Sequence, residues 1–201
     1  MKRFGYRVDL NEQHLRAISK EIRLDPAEMF NNESSIYNIY YNEKNFTYLP
    51  DSQRYHVAAL LKIGFLLCEH YSVDTQGVDL WHLINPKLEQ TIPRDQVIEL
   101  LKDLIYIAVD MNIKYLSVMG ESLREKGTKE KGLPTRESKE EEKMKNRALK
   151  YLDLAKKNSG RLIEDTIKLL PPHVSKIDLI PVMKKQMFRS HQIRTLLTSN
   201  Y

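Results

Sequence analysis

Cysteine is almost absent from this sequence, which has Cys68 as its single cysteine among 201 residues. One cysteine cannot form an internal disulfide, and a structural zinc site of the cysteine-rich kind is not expected. Cys68 follows an apolar run, where a thiol behaves as a small buried hydrophobic group. The sequence therefore gives no sign of an oxidising compartment.

Long apolar runs are lacking as well. The longest stretch, from Ala58 to Cys68, is interrupted by Lys62 and is too short to span a bilayer. The basic residues at the start of the chain are not followed by an apolar segment, so we expect no signal peptide. We predict a cytoplasmic protein that does not interact with membranes.

Signatures of catalysis are also missing. The sequence has no glycine-rich phosphate loop, no HExxH or GxSxG motif and no cysteine–histidine signature. Neighbouring carboxylates such as Glu140 and Glu141 lie in a charged stretch without the apolar surroundings that perturb a pKa. We therefore predict no enzyme activity, no cofactor, no metal and no small-molecule substrate.

The residues that are present suit a folded protein, with 41% hydrophobic and 29% charged residues. The formal net charge of +5 is mildly basic. A charge of this size permits an acidic partner, such as nucleic acid or an acidic protein surface, but does not require one.

Apolar residues recur at helical spacing, and no segment shows the strict alternation of a strand. We predict an all-α fold with at most very short strands, and caps at Asp9 for the first helix and at Thr91 or Asp95 for the fourth. Gly160 is a predicted break. The predicted helices are 9–24, 52–70, 74–84, 94–118, 144–170 and a last one from about Asp178 to Leu197.

Residues 120–146 mix Lys, Arg and Glu with glycine and proline and contain almost no large apolar residues. Such a segment cannot offset the entropy lost on ordering. We therefore predict a charged linker, with residues 121–143 mobile in the free protein. This linker divides the chain into an N-terminal lobe, 1–119, and a C-terminal lobe, 147–201.

The segment 78–104 has the order helix, loop, helix, with the apolar Ile92 near the end of the loop. Placing Ile92 at the eighth position gives a 12-residue loop from Asn85 to Gln96. The segment resembles an EF-hand, and the helix from Val57 to Glu69 resembles the exiting helix of a preceding hand. A weaker match surrounds Ile177. The resemblance implies paired EF-hand-like units, as in calmodulin and the neuronal calcium sensors; an unrelated helical bundle is the alternative.

The loop residues do not suit calcium, which needs several carboxylate and carbonyl oxygens. Lys87 brings a positive charge to the third position, and Gln96 replaces the bidentate glutamate at the twelfth. In the C-terminal match, Ile177 at the eighth position puts Leu170 first and Pro181 last, without a ligand set. The resemblance therefore implies the fold and the partner binding of the family without its metal.

Apolar residues of the predicted helices are expected in the core, with a groove for a target helix as the alternative. These residues are Trp81, Leu83, Leu100, Leu101, Leu104 and Ile105. The C-terminal helix combines apolar and basic residues, which is typical of a helix that binds a partner or closes its own domain. We predict partner contacts there for Met187, Phe188, Ile193, Lys184, Lys185 and Arg189. For the three apolar residues among them, the alternative is that they lie in the core.

These patterns favour a non-catalytic structural or adaptor subunit of a larger protein assembly. Analogy with degenerate EF-hand proteins suggests a ciliary, axonemal or microtubule-associated location. Two alternatives remain open. The basic balance favours a nucleic-acid-associated accessory subunit, and a calcium-sensing EF-hand protein would require an intact loop.

Overall fold

The computed structural model describes residues 9–21, 46–67, 73–117, 136–184, 193–195 and 198. This part of the chain is mostly helical, as predicted. Its helices are α1 (Glu12–Glu21), α2 (Val57–Leu67), α3 (Val73–Ile84), α4 (Arg94–Ile105), α5 (Arg136–Leu169) and α6 (Lys176–Lys184). A π-helical turn, Tyr106–Asp110, continues α4, and residues 111–117 follow as α-helix.

The strands are very short, also as predicted, and form two small sheets. The strands are β1 (Asp9–Leu10), β2 (Tyr48–Leu49), β3 (Arg54–His56), β4 (Thr91–Pro93) and β5 (His173–Ser175). The first sheet has the order β1-β3-β2 and the second consists of β4 and β5, with every pair antiparallel.

The helix caps differ from the predicted ones. The side chain of Asn11 caps α1 by accepting a hydrogen bond from the backbone N–H of His14 at 2.9 Å. Asp9 is not available for this role because it lies in β1, opposite His56. No side chain caps α4: Pro93 precedes it, and neither Thr91 nor Asp95 bonds its first turn.

Helix α5 is continuous over 34 residues. Gly160 was predicted to break it but lies exposed inside it, with nothing within 4 Å of the place where a Cβ would stand. The helix begins at Arg136, so residues 136–146 of the predicted linker are helical. The rest of the predicted linker, through 135, lies outside the described residues.

One hydrophobic cluster contains side chains from α2 through α6 and from both predicted lobes, including Leu101, Leu152 and Leu179. The predicted core residues Trp81, Leu100, Leu101, Leu104 and Ile105 are buried in it, which confirms the core interpretation for them. Side chains from both predicted lobes therefore share one cluster within the described residues, and a shared core buries more surface than two small ones could. The division into two lobes itself stays a prediction. The end points of the linker stay a prediction.

The pairing expected between two N-terminal EF-hand-like units is not found. Strand β3, which precedes α2, pairs with β1 and β2. Strand β4 instead pairs across the predicted linker with β5.

Helices α3 and α6 approach closely at Gly77. A Cβ placed there would lie 2.9 Å from Cγ2 of Ile180. Because glycine has only a hydrogen at this place, α3 and α6 can come into contact here. None of the helices in the described ranges is both long and apolar enough to cross a membrane.

Candidate functional site

The two halves of the chain are joined by the two-stranded ribbon of β4 and β5. Ile92 lies opposite Val174 in it, and both side chains are buried. Each strand connects two helices, which gives one unit, α3–β4–α4, and a second unit, α5–β5–α6. The prediction that Ile177 holds the position equivalent to Ile92 is wrong: Ile177 lies in the first turn of α6 and is 83% exposed.

The loop between α3 and β4 is closed by its own side chain. Asn85 is only 2% exposed. Its Nδ2 donates to the carbonyl oxygen of Glu89 at 2.7 Å, and the N–H of Glu89 donates to its Oδ1 at 3.0 Å. Leu88, between them, takes the left-handed conformation with φ 57°. Both polar ends of the Asn85 amide are therefore used by the loop backbone.

The loop between α5 and β5 is followed by a capping box at the start of α6. The N–H and Oγ of Ser175 donate to Oδ2 of Asp178 at 2.9 and 2.6 Å. The hydrogen bond from the Ser175 hydroxyl and, to a smaller extent, the one from its backbone N–H lower the pKa of the Asp178 carboxyl below its ordinary value. The Ser-x-x-Asp pattern marks the beginning of a helix in sequence, and it is the signal that would have corrected the prediction for Ile177.

Arg94 joins the two loops. Its backbone N–H donates to the carbonyl oxygen of Pro172 at 2.9 Å, and its Nη1 donates to the carbonyl oxygen of Leu170 at 3.3 Å. The first of these bonds satisfies a backbone donor at the start of α4 that no side chain caps. The loop of the second unit therefore provides the hydrogen-bond acceptor for the N-terminus of α4, which belongs to the first unit.

Neither loop shows a metal-binding arrangement. Within the described ranges, no group of three or more His, Cys, Asp or Glu side chains could hold a metal ion. The Asn85 amide bonds the loop backbone, and the Asp178 carboxylate bonds Ser175.

A pocket of about 480 Å³ lies beside the π-helical turn, between α4 and α5. The rings of Phe46 and Tyr106 meet in it at 4.8 Å with an interplanar angle of 52°. Its other lining residues are Lys102, Asp103, Ile105, Asp110, Ser159 and Ile163. A volume of this size is in the range of pockets that receive a side chain or a small ligand.

The π-helical turn shapes this pocket. It buries Ile107, Ala108 and Val109 in succession, and Tyr106 and Asp110 at its two ends line the pocket. The wider turn is supported by the Nδ2 of Asn112, which donates to the carbonyl oxygens of Ile107 and Ala108, both at 3.1 Å. Turns of this kind occur often at functional sites.

The two aspartates of the pocket are paired in different ways. Asp103 binds Lys62, whose side chain is 15% exposed. Asp110, whose side chain is 22% exposed, binds Lys156 through Oδ1 at 2.5 Å, and the Lys156 side chain is 60% exposed. The hydrogen bond and charge of Asp110 raise the pKa of Lys156. Asp103 therefore has an enclosed partner and Asp110 an exposed one.

The partner-binding residues predicted from sequence are not assembled into a described surface. Ile193 is 1% exposed and belongs to the larger hydrophobic cluster, which matches the core alternative stated for it. Lys184 is the last residue of α6, and its side chain is outside the description. Lys185, Met187, Phe188 and Arg189 lie outside the described residues.

Large apolar side chains are exposed in and beside the two loops. They are Leu88 in the first loop, Leu169 at the end of α5 and Ile177 at the start of α6. Single exposed apolar residues are common on protein surfaces, so these three indicate a binding surface only as a group around the two loops.

Comparison of the chain with models of protein families, with curated proteins and with solved structures finds no match. The resemblance to EF-hand proteins accordingly stays a hypothesis.

Proposed function

We propose that this protein is a non-catalytic adaptor, a structural subunit that binds a partner protein within a larger assembly. Its two helix–loop–helix units are, in this proposal, relatives of EF-hands that do not need calcium. The observation that carries the proposal is the ribbon of β4 and β5 with loops closed by Asn85 and by Ser175 with Asp178. A pair of units closed in this way is available to a partner at any calcium concentration.

The exposed apolar side chains around the ribbon support the same function. Leu88, Leu169 and Ile177 offer the kind of surface that partner proteins cover. The contacts predicted at Met187, Phe188 and the basic residues of the C-terminal helix belong to this proposal too. A cytoplasmic place in a ciliary or microtubule-associated assembly is its proposed setting, by analogy with degenerate EF-hand proteins.

A nucleic-acid-associated accessory subunit is the second candidate. The observation that favours it is the row of basic residues on the first half of α5, where Lys143, Arg147 and Lys150 are exposed. Phosphate contacts by such residues would make binding strongly dependent on salt. Calcium sensing is the third candidate, and Lys87 and Gln96 argue against it.

The test begins with the tagged full chain recovered from native cells after nuclease treatment, followed by mass spectrometry. The protein that is recovered is then purified, and its direct binding is measured in EDTA, in calcium and at about 50 and 200 mM salt. We expect the same affinity in EDTA and in calcium, and only a modest loss of affinity at the higher salt concentration.

Two variants refine this test. Phe188→Ala should weaken binding of the purified partner while circular dichroism and melting stay nearly unchanged. The triple replacement of Lys184, Lys185 and Arg189 by Gln should slow association but preserve binding at low salt, because such charges chiefly steer the encounter.

Two results would contradict the adaptor proposal, and a third would contradict the role of Phe188 in it. Recovery that disappears after nuclease treatment, with a steep salt dependence, indicates the nucleic-acid function. Binding that requires calcium indicates a sensor. Unfolding of the Phe188→Ala variant places Phe188 in the core and removes it from the interface.

A further inference from the structure

We propose that the pocket beside the π-helical turn receives an arginine side chain of the partner protein, with Asp110 as the carboxylate that binds it. This inference rests on the proposed adaptor function, because it specifies the chemistry of one contact with the partner. The pocket is formed by Phe46, Tyr106 and residues of α4 and α5.

The walls of the pocket fit the shape of an arginine. Phe46, Ile105, Tyr106 and Ile163 provide apolar and aromatic surface for an aliphatic stem. A guanidinium group is planar and packs against aromatic rings. The Tyr106 ring already contacts a cation, since Nζ of Lys114 lies 5.3 Å from its centroid and donates to its hydroxyl at 2.8 Å.

The charges of the lining favour a cation over an anion. Two carboxylates, those of Asp103 and Asp110, face one lysine, Lys102. The ammonium group of Lys102 bonds Glu99 at 2.7 Å, so its charge is already compensated. Each of the two carboxylates is itself paired with a lysine, Asp103 with Lys62 and Asp110 with Lys156, so a cation can bind here only by replacing one of these lysines.

Asp110 is the aspartate whose partner can be exchanged. Lys62 is largely enclosed, so separating it from Asp103 would leave a shielded charge without a partner. Lys156 is a mostly exposed side chain that can turn into solvent at little cost. It occupies Asp110 through one carboxylate oxygen, whereas a guanidinium can bond both oxygens in parallel. Lys156 thus acts as an internal competitor that an arginine replaces.

The experiment titrates the full chain with N-acetyl-arginine methylamide while backbone amide shifts are recorded by NMR. The citrulline analogue, which has the same shape without the charge, is titrated in parallel, as is inorganic phosphate. We expect the arginine probe to shift amides at Tyr106, Asp110 and Ile163, and the citrulline probe and phosphate to leave them unchanged.

Three variants sharpen the result. Lys156→Gln removes the competitor, so the arginine probe should bind about two- to fivefold more tightly, the range of an exposed ion pair. Asp110→Asn should abolish the shifts. Lys168→Gln is the matched control, because Lys168 is also an exposed lysine on α5 paired with an aspartate, Asp165, and it should leave the affinity unchanged. Melting temperatures of all three are measured to establish that they are folded.

The inference is overturned if Lys156→Gln still gives no shift up to the solubility limit of the probe. It is equally overturned if the citrulline probe binds as well as the arginine probe, or if phosphate shifts the same amides. Once a partner is purified, Asp110→Asn should weaken its binding and Lys168→Gln should not. If the arginine probe shifts no amides but the partner protein still binds, only the pocket proposal is refuted. If the probe shifts the amides but no partner protein is recovered from cells, the adaptor function is refuted instead.

Discussion

The two loops that flank the β4–β5 ribbon reach the same antiparallel pairing with different bonds. The first, residues 85–90, is the longer and depends on the buried amide of Asn85. The second, residues 170–172, is short, and its polar bonds lie at the beginning of the next helix, between Ser175 and Asp178. The comparison teaches that side-chain hydrogen bonds placed either inside a loop or just after it can support the same pairing of two helix–loop–helix units.

The largest expected effect comes from opening a cavity in the core that both units share. Leu101→Ala on the first unit and Leu179→Ala on the second should each lower the free energy of unfolding by about 2–5 kcal/mol, because both side chains are fully buried. Urea denaturation measures the change, and calorimetry should show a single transition for each variant. Two separate transitions, or a change within about 0.5 kcal/mol, would contradict the shared core.

The next effect concerns the contact between the units. Gly77→Ala should destabilise the protein by about 1–3 kcal/mol, because the added methyl group would overlap Ile180. Gly64→Ala is the control: it is also a helical glycine, but nothing lies within 4 Å of its Cβ position. That change should stabilise the protein by about 0.5–1 kcal/mol, as alanine favours helix. Equal effects of the two substitutions in thermal denaturation would show that α3 and α6 are not in close contact.

An effect of similar size separates the two loops directly. Asn85→Ala removes both hydrogen bonds to Glu89 and should cost about 1–3 kcal/mol. Asn85→Asp keeps the acceptor for the Glu89 N–H but loses the donor to its carbonyl oxygen, so an intermediate loss is expected. Hydrogen exchange at residues 87–90 should rise in both variants, while exchange at Leu170, the residue of the second loop that has a backbone N–H, stays unchanged. Stabilisation of either variant by calcium would disprove closure by the amide alone.

The smallest effect is a pH dependence confined to the second unit. The folded state lowers the pKa of Asp178, so the carboxylate stabilises the fold above its unfolded pKa, and this contribution is lost as the pH falls through the folded pKa. Asp178→Asn should therefore lose stability at neutral pH and show less further loss on acidification than the unmodified protein. Urea denaturation at pH 7 and well below the ordinary value of 3.8 tests this. Identical acid sensitivity of the two proteins would exclude the capping role.

The central helices could be predicted because their apolar residues repeat strongly. The predicted helix 74–84 differs from α3 by one residue at its start, and the predicted helix 94–118 agrees with α4 and its continuation over the described residues, 94–117. Strands of two or three residues are too short to show an alternation, so the partner of β4 could not be derived from periodicity. Val174 and Ile177 are both apolar β-branched residues, and only the cap at Ser175 distinguishes the strand from the helix.

The pocket could not be predicted for a different reason. Phe46, Asp110 and Ser159 come from distant parts of the chain, and each is unremarkable in its local sequence. The π-helical turn adds to the difficulty, because it changes the helical phase between Asp103 and Asp110 without a glycine or proline to mark it. Sequence periodicity identifies which residues are buried and leaves open which exposed residues share a surface.

Helix α5 gives the molecule a mechanical property. Its 34 residues correspond to about 51 Å, and the described side chains before Leu152 are not buried. The described side chains of the first half are exposed or half-buried, whereas the second half contributes Leu152, Ala155 and Leu162 to the core and ends beside β5. Because the helix is uninterrupted, a force applied to its first half would be transmitted to the strand ribbon beside its C-terminal end.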